Sequence, residues 1–266
     1  MMTQIIQELM RQKELEICCG DIGSVHAAAE GGARRIELCS GLSEGGLTPS
    51  VALIKEAVRT GIQLVNVLIR PRPGDFLYSV SEARVMEDDV AAAIEAGAGG
   101  VVIGALTPDG DIDMRLCSRL VKRARTLSDS PVNITFHRAF DLARDAGGAL
   151  DDIISLGCDC LLTSGMAATA EAGMAVLASL VVRSAGRVRI MAGGGVTPGN
   201  AARILAETGV GVIHATARSA RASGMRFRRE SVPMGAPGTD EYSLRTTDPA
   251  IVSRLADIVR QSGAIV

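Results

Sequence analysis

At 266 residues, 47% hydrophobic and 22% charged, the chain has the composition of a folded globular protein and the length of a single α/β barrel. A net charge of −2 supplies no basic field for nucleic acid or an anionic membrane surface, and no apolar run is long enough to cross a bilayer. Six cysteines in a chain this long do not make a disulfide framework, and the N-terminus lacks the basic and apolar regions of an export signal, so reduced thiols in the cytoplasm are expected.

In chain order, residues 1–13 come first. Met2, Ile5, Ile6, Leu9 and Met10 recur there at helical spacing, predicting a short amphipathic extension that plugs a barrel bottom or serves an oligomer contact. Residues 14–266 then alternate short apolar runs with amphipathic stretches. The runs are 15–19, 35–39, 64–70, 100–104, 132–137, 160–164, 189–192 and 212–214, eight in all. Such alternation means parallel strands joined by crossover helices, and eight even units predict a (β/α)8 TIM barrel in one domain. An open doubly wound sheet fits less well, because no Gly-x-Gly-x-x-Gly turn follows the first strand. Glycines at 31, 32, 61, 97, 157, 186 and 209 mark helix ends. Thr48–Pro49, Thr197–Pro198 and Asp248–Pro249 read as helix starts, and 215–247 as the longest irregular piece.

Strand parity separates core from site, because residues two apart share a face. A carboxylate can hardly face the covering helices, so Glu16 points inward and Cys18 joins it one layer higher. The next strand repeats the pattern with Glu37 and Cys39. Asn66 and Arg70, then Asn133, Thr135 and His137, share inward faces, and the eighth strand ends in His214. A purely structural barrel fills its interior with branched aliphatics, so this polar interior points to a site at the strands' C-terminal ends. Arg70 is the expected partner of Glu37; an internal salt bridge that only fixes register is the plainer alternative. The aromatics, four Phe and two Tyr, all fall at strand ends or in the loops that follow, which points the same way.

Three groupings carry chemistry. Cys18 and Cys39 offer two thiolates to a soft ion such as Cu(I), with His137 or His214 as a third ligand, or else are small core residues. Cys158, Cys160 and Cys117 read as packing, and His26 as a helix residue without a role. Ala192–Pro198, with Gly194 and Gly195, links the seventh strand to a helix and suits an anion or phosphate that Arg218 would help to hold; a tight turn is the alternative. Finally, His137 suits a general acid or base, Glu16 or Glu37 the complementary group, and Arg70 or Arg138 a carboxylate clamp. No sequence signal marks a nucleotide cofactor.

These residues resemble the copper homeostasis protein CutC family. The likeness rests on Leu-Glu-Ile-Cys at 15–18, Arg-Ile-Glu-Leu-Cys-Ser-Gly-Leu-Ser-Glu-Gly-Gly-Leu-Thr-Pro-Ser at 35–50, Ile-Arg-Pro-Arg-Pro-Gly-Asp-Phe at 69–76, Thr-Phe-His-Arg-Ala-Phe-Asp at 135–141 and Ala-Gly-Gly-Gly-Val at 192–196. It implies a TIM barrel, a cytoplasmic location, a homo-oligomer (dimer or tetramer) and a part in copper handling, with candidate copper ligands at Cys18 and Cys39. The competing expectation is an enzyme acting on a small anionic or phosphorylated substrate through Glu16, Glu37, Arg70, His137 and His214. A scaffold barrel is the third, and would not need inward charges.

Overall fold

A computed structural model describes residues 13–229, 231–232, 234 and 240–263. The helical extension expected over residues 1–13 lies outside them, apart from Lys13. Eight parallel strands close into a barrel in sequence order. They are β1 Glu14–Cys19, β2 Arg35–Leu38, β3 Leu64–Leu68, β4 Gly100–Ile103, β5 Asn133–Phe136, β6 Cys160–Thr163, β7 Arg189–Ala192 and β8 Val212–Ala215. The covering helices are α1 Ile22–Glu30, α2 Val51–Arg59, α3 Val80–Glu95, α4 Met114–Thr126, α5 Ala146–Ser155, α6 Met174–Ser184, α7 Ala201–Thr208 and α8 Pro249–Gly263. None is long and apolar enough to cross a membrane.

Local chemistry sets the helix boundaries. Asp21 caps α1 by accepting from the Ser24 amide, and Ser79 with Glu82 forms a reciprocal capping box on α3. Two expected starts move. The α2 cap is Ser50, not Thr48, whose hydroxyl instead accepts from the Arg70 amide; α7 begins at Ala201, three residues beyond Pro198. Asp248–Pro249 does open α8, with the Asp248 carboxylate accepting from the Ala250 amide. Gly31 keeps a right-handed φ of −74°, and its role is close approach: a Cβ there would collide with Val252 of α8.

Strand alternation builds two compartments. Outward residues such as Ile17, Ile36, Val67, Val101, Ile103, Ile134 and Phe136 pack under the helices in one continuous core. Phe136 and Phe140 are fully buried in it, so two aromatics expected at the working face serve packing instead. Truncating a ring so placed costs about 3–5 kcal/mol. Inside the barrel the apolar residues split into two patches, Cys18, Cys39, Leu68 and Val102 above and Cys160, Leu162, Met191 and Val212 across from them.

The segment expected to be irregular contains a two-stranded antiparallel ribbon, β9 Arg218–Ala222 with β10 Ser243–Thr247. It is tied to the barrel through Thr247, whose amide donates to Ser24 Oγ (3.3 Å) and whose hydroxyl donates to the Thr216 carbonyl (3.2 Å).

Candidate functional site

Register places the inward charges. Glu16 lies opposite Arg35 on one side and His214 on the other, and Cys18 lies opposite Glu37. Glu16, completely buried, accepts from Arg35 Nε (2.6 Å) and Asn66 Nδ2 (2.9 Å) and meets His214 Nδ1 at 3.0 Å. Burial opposes its charge, but Arg35 and His214 outweigh that and hold its pKa down at about 2. Arg35 also donates to Thr135 Oγ1, and Asn66 accepts from Asn133, so a polar layer spans β1, β2, β3 and β5. Gly100 on β4 makes room for it, since a Cβ there would run into Asn66 and Asn133.

One layer higher, Cys18 Sγ lies 3.7 Å from Cys39 Sγ and 3.6 Å from Glu37 Oε1. One ligand atom each from Cys18, Glu37 and His214 falls within a common 4.8 Å, a grouping that suits a metal ion. The contact with Cys39, burial and the nearby Glu37 charge push the Cys18 thiol well above its ordinary pKa. Burial likewise raises Glu37. For His214 burial favours the neutral ring, yet the Cys18 sulfur and the Glu16 carboxylate outweigh it, so the imidazolium persists well above the usual range.

His137 stands apart from this cluster. A Cβ on Gly104 would overlap its ring, and Phe76 lies 4.9 Å from it, centroid to centroid. Its Nδ1 accepts from the Ala139 amide at 3.1 Å. Burial and the Arg70 charge lower its pKa to about 3, so the ring is neutral and carries its proton on Nε2, which has no partner among the described residues.

The expected Glu37–Arg70 pair is not made. Arg70 lies beyond the end of β3 and turns into the loops, donating to the carbonyls of Glu44, Gly46 and Gly74 at 2.8–3.0 Å and covering the Phe76 ring. Glu37 Oε2 has no partner among the described residues, and Arg35, which shares Glu37's parity, takes the internal ion pair, with Glu16. His26 is exposed on α1.

Cys18, Glu37, Arg70, Phe76, His137 and His214 line one cavity of about 840 Å³ at the C-terminal ends of the strands. Arg138, Arg218, Arg245, Gly194 and Gly195 line it too. Asp141 anchors Arg138 (2.7 Å) and also accepts from the Thr163 hydroxyl and the Ser164 and Met166 amides, pinning the loop after β6 to the loop after β5. Gly194 adopts φ +95°, a conformation that favours glycine, and lies beside the Arg138 guanidinium.

Fold and site together define a single-domain (β/α)8 barrel protein with thiols, a carboxyl and an imidazolium buried beneath a cationic mouth. The chain belongs to the CutC family, whose model matches residues 13–219. It is 48% identical over 246 residues to a CutC family protein of Chromobacterium violaceum, covering 92% of this chain and 97% of that one. It is 46% identical over 248 residues to the human copper homeostasis protein cutC homolog, covering 92% of this chain and 89% of that one. The crystal structure of CutC from Streptococcus agalactiae superposes with a TM-score of 0.71 at 32% identity, over 77% of this chain and 98% of that chain.

Proposed function

We propose that the protein takes part in copper homeostasis as a cytosolic Cu(I)-binding protein, its cargo ion held by Cys18 and Cys39. The observation that carries this reading is the 3.7 Å between the two sulfur atoms. Thiolates are the ligands soft Cu(I) prefers, and with metal–sulfur bonds of about 2.3 Å one ion reaches both. His214 is the nearer candidate for a third ligand, since it groups with Cys18 and His137 does not. The human relative bears a copper homeostasis name. The six cysteines are all free and buried, as a reducing compartment favours. Self-association belongs to the same reading and is tested by analytical ultracentrifugation.

Competition for Cu(I) against a calibrated chelator, under reducing conditions, tests the site. One-to-one binding that disappears in Cys18→Ser/Cys39→Ser is expected. Binding that survives the loss of both sulfurs overturns the assignment.

A second reading is an enzyme acting on a small anion, with Glu16, Glu37, Arg70, His137 and His214 as its candidate groups. What favours it is that Glu37 Oε2 and His137 Nε2 are both buried, both without partners among the described residues, and both on residues of the same cavity. Buried polar atoms are ordinarily paired, and these two await a ligand. Glu16, fully engaged by Arg35, Asn66 and His214, then positions His214 and does not itself meet substrate.

A further inference from the structure

We propose that the cavity above the thiol pair binds a phosphate monoester of a short hydroxylated carbon chain, its phosphate held by Arg218, Arg245 and the Gly194–Val196 loop and its hydroxyl end by His137 and Glu37. The proposal rests on the small-anion reading and names its substrate class.

The mouth of the cavity is cationic in a chain whose net charge is −2. Its four arginines are not equivalent. Arg70 is engaged by three carbonyls and Arg138 by Asp141. Arg218 and Arg245 have no carboxylate partner among the described residues, and Arg218 Nε is shut away from solvent with no acceptor. Their convergence follows from the ribbon's register. Arg218 pairs with Thr247 and Ala220 with Arg245, so the two arginines share one face as diagonal neighbours. Like charges so placed repel, which a bound anion would relieve.

Opposite them runs the loop after β7. Gly194 and Gly195 adopt φ of +95° and +75°, and the amides of Gly194, Gly195 and Val196 have no acceptor among the described residues. Consecutive free amides beside guanidinium groups suit the several oxygens of a phosphate, and the loops after the seventh and eighth strands are where barrels of this kind receive one.

The inner end demands different chemistry. His137 Nε2 offers a donor and Glu37 Oε2 an acceptor, both buried. A hydroxyl satisfies both kinds of group. A second carboxylate would lie against Glu37, so a dicarboxylate is disfavoured. The volume of about 840 Å³ accommodates a small sugar phosphate.

The test is thermal stabilisation and calorimetry on the full chain, metal-free and under reducing conditions. The probes are glycerol 3-phosphate and ribose 5-phosphate, with glycerol, ribose, inorganic phosphate and malate as comparisons. Saturable binding of a monoester is expected, weakened at least tenfold in Arg218→Ala and in Arg245→Ala. The second variant lies at an exposed position, so its fold is expected to survive. Weakening in His137→Gln of the monoester but not of inorganic phosphate assigns the inner end. Malate binding as tightly as the monoesters overturns the phosphate assignment and leaves the small-anion reading standing. Failure of every probe overturns both, and monoester binding indifferent to both arginines overturns the site.

Discussion

Glu16 and His214 face each other across β1 and β8, Oε1 3.0 Å from Nδ1, with the carboxylate wholly removed from water. Arg35 holds the other oxygen at 2.6 Å, so one buried anion serves two cations. Removing one partner from a buried ionic cluster leaves the others unneutralised in a medium that solvates them poorly. Glu16→Gln is therefore expected to lower stability by about 3–5 kcal/mol, read by urea unfolding. The same variant is expected to bring the His214 titration down, read by NMR. A His214 titration that does not move contradicts the pairing.

His137 gives the fold a pH dependence of definite sign. Its folded pKa is about 3, against about 6.5 for the unfolded chain, so on acidification the unfolded state takes up a proton that the folded state refuses. Stability should fall as pH drops from about 6.5 towards 3, by up to about 1.4 kcal/mol per pH unit. Glu16, at about 2 when folded, adds a loss that begins only below about pH 4.5. His214 acts in the opposite window: its raised pKa stabilises fully below about 6.5, and that contribution fades as pH rises through the folded value. Unfolding of His137→Gln between about pH 6.5 and 4.5 separates these, and should lack the decline seen in the wild type.

Copper loading should release protons. The Cys18 thiol is held protonated well above its ordinary range, and only the thiolate binds metal. Chelator competition repeated from about pH 6 to 8 should show affinity rising up to about tenfold per unit for each proton displaced. An affinity flat across that range contradicts thiolate ligation by Cys18.

Gly194→Ala and Gly61→Ala form a matched comparison. Both positions have positive φ, +95° and +78°, but a Cβ at 61 meets nothing whereas one at 194 meets Ser164 and Arg138. Each is expected to cost about 1–3 kcal/mol in backbone strain. Only the first should also press on a neighbour, the Ser164 Cβ at 3.3 Å, visible in a crystal structure as a shift of Ser164 by a few tenths of an ångström.

The barrel was legible because its signals are local and repeated. Parity on β1 and β2 correctly turned Glu16, Cys18, Glu37 and Cys39 inward, since a strand buried on both faces leaves a carboxylate only one tolerable side. The same rule applied two residues before Glu37 points Arg35 inward, and that step reveals the partner of Glu16. Pairing Glu37 with Arg70 went astray for another reason: parity gives the face of a residue but not its height, and β3 ends at Leu68 before Arg70 is reached. Arg245 could not be read from sequence at all. Its place at the mouth depends on β10 pairing with β9 across a long intervening segment, a non-local contact with no periodic signature.

The polar layer of Glu16, Arg35, Asn66, Asn133 and Thr135 makes the cavity a blind well. The cavity opens towards the ribbon and the glycine loop, which line it together. On the two proposed readings, an ion held near Cys18 and His214 would lie beneath an anion settled against Arg218, and the shallower guest would slow the exchange of the deeper one.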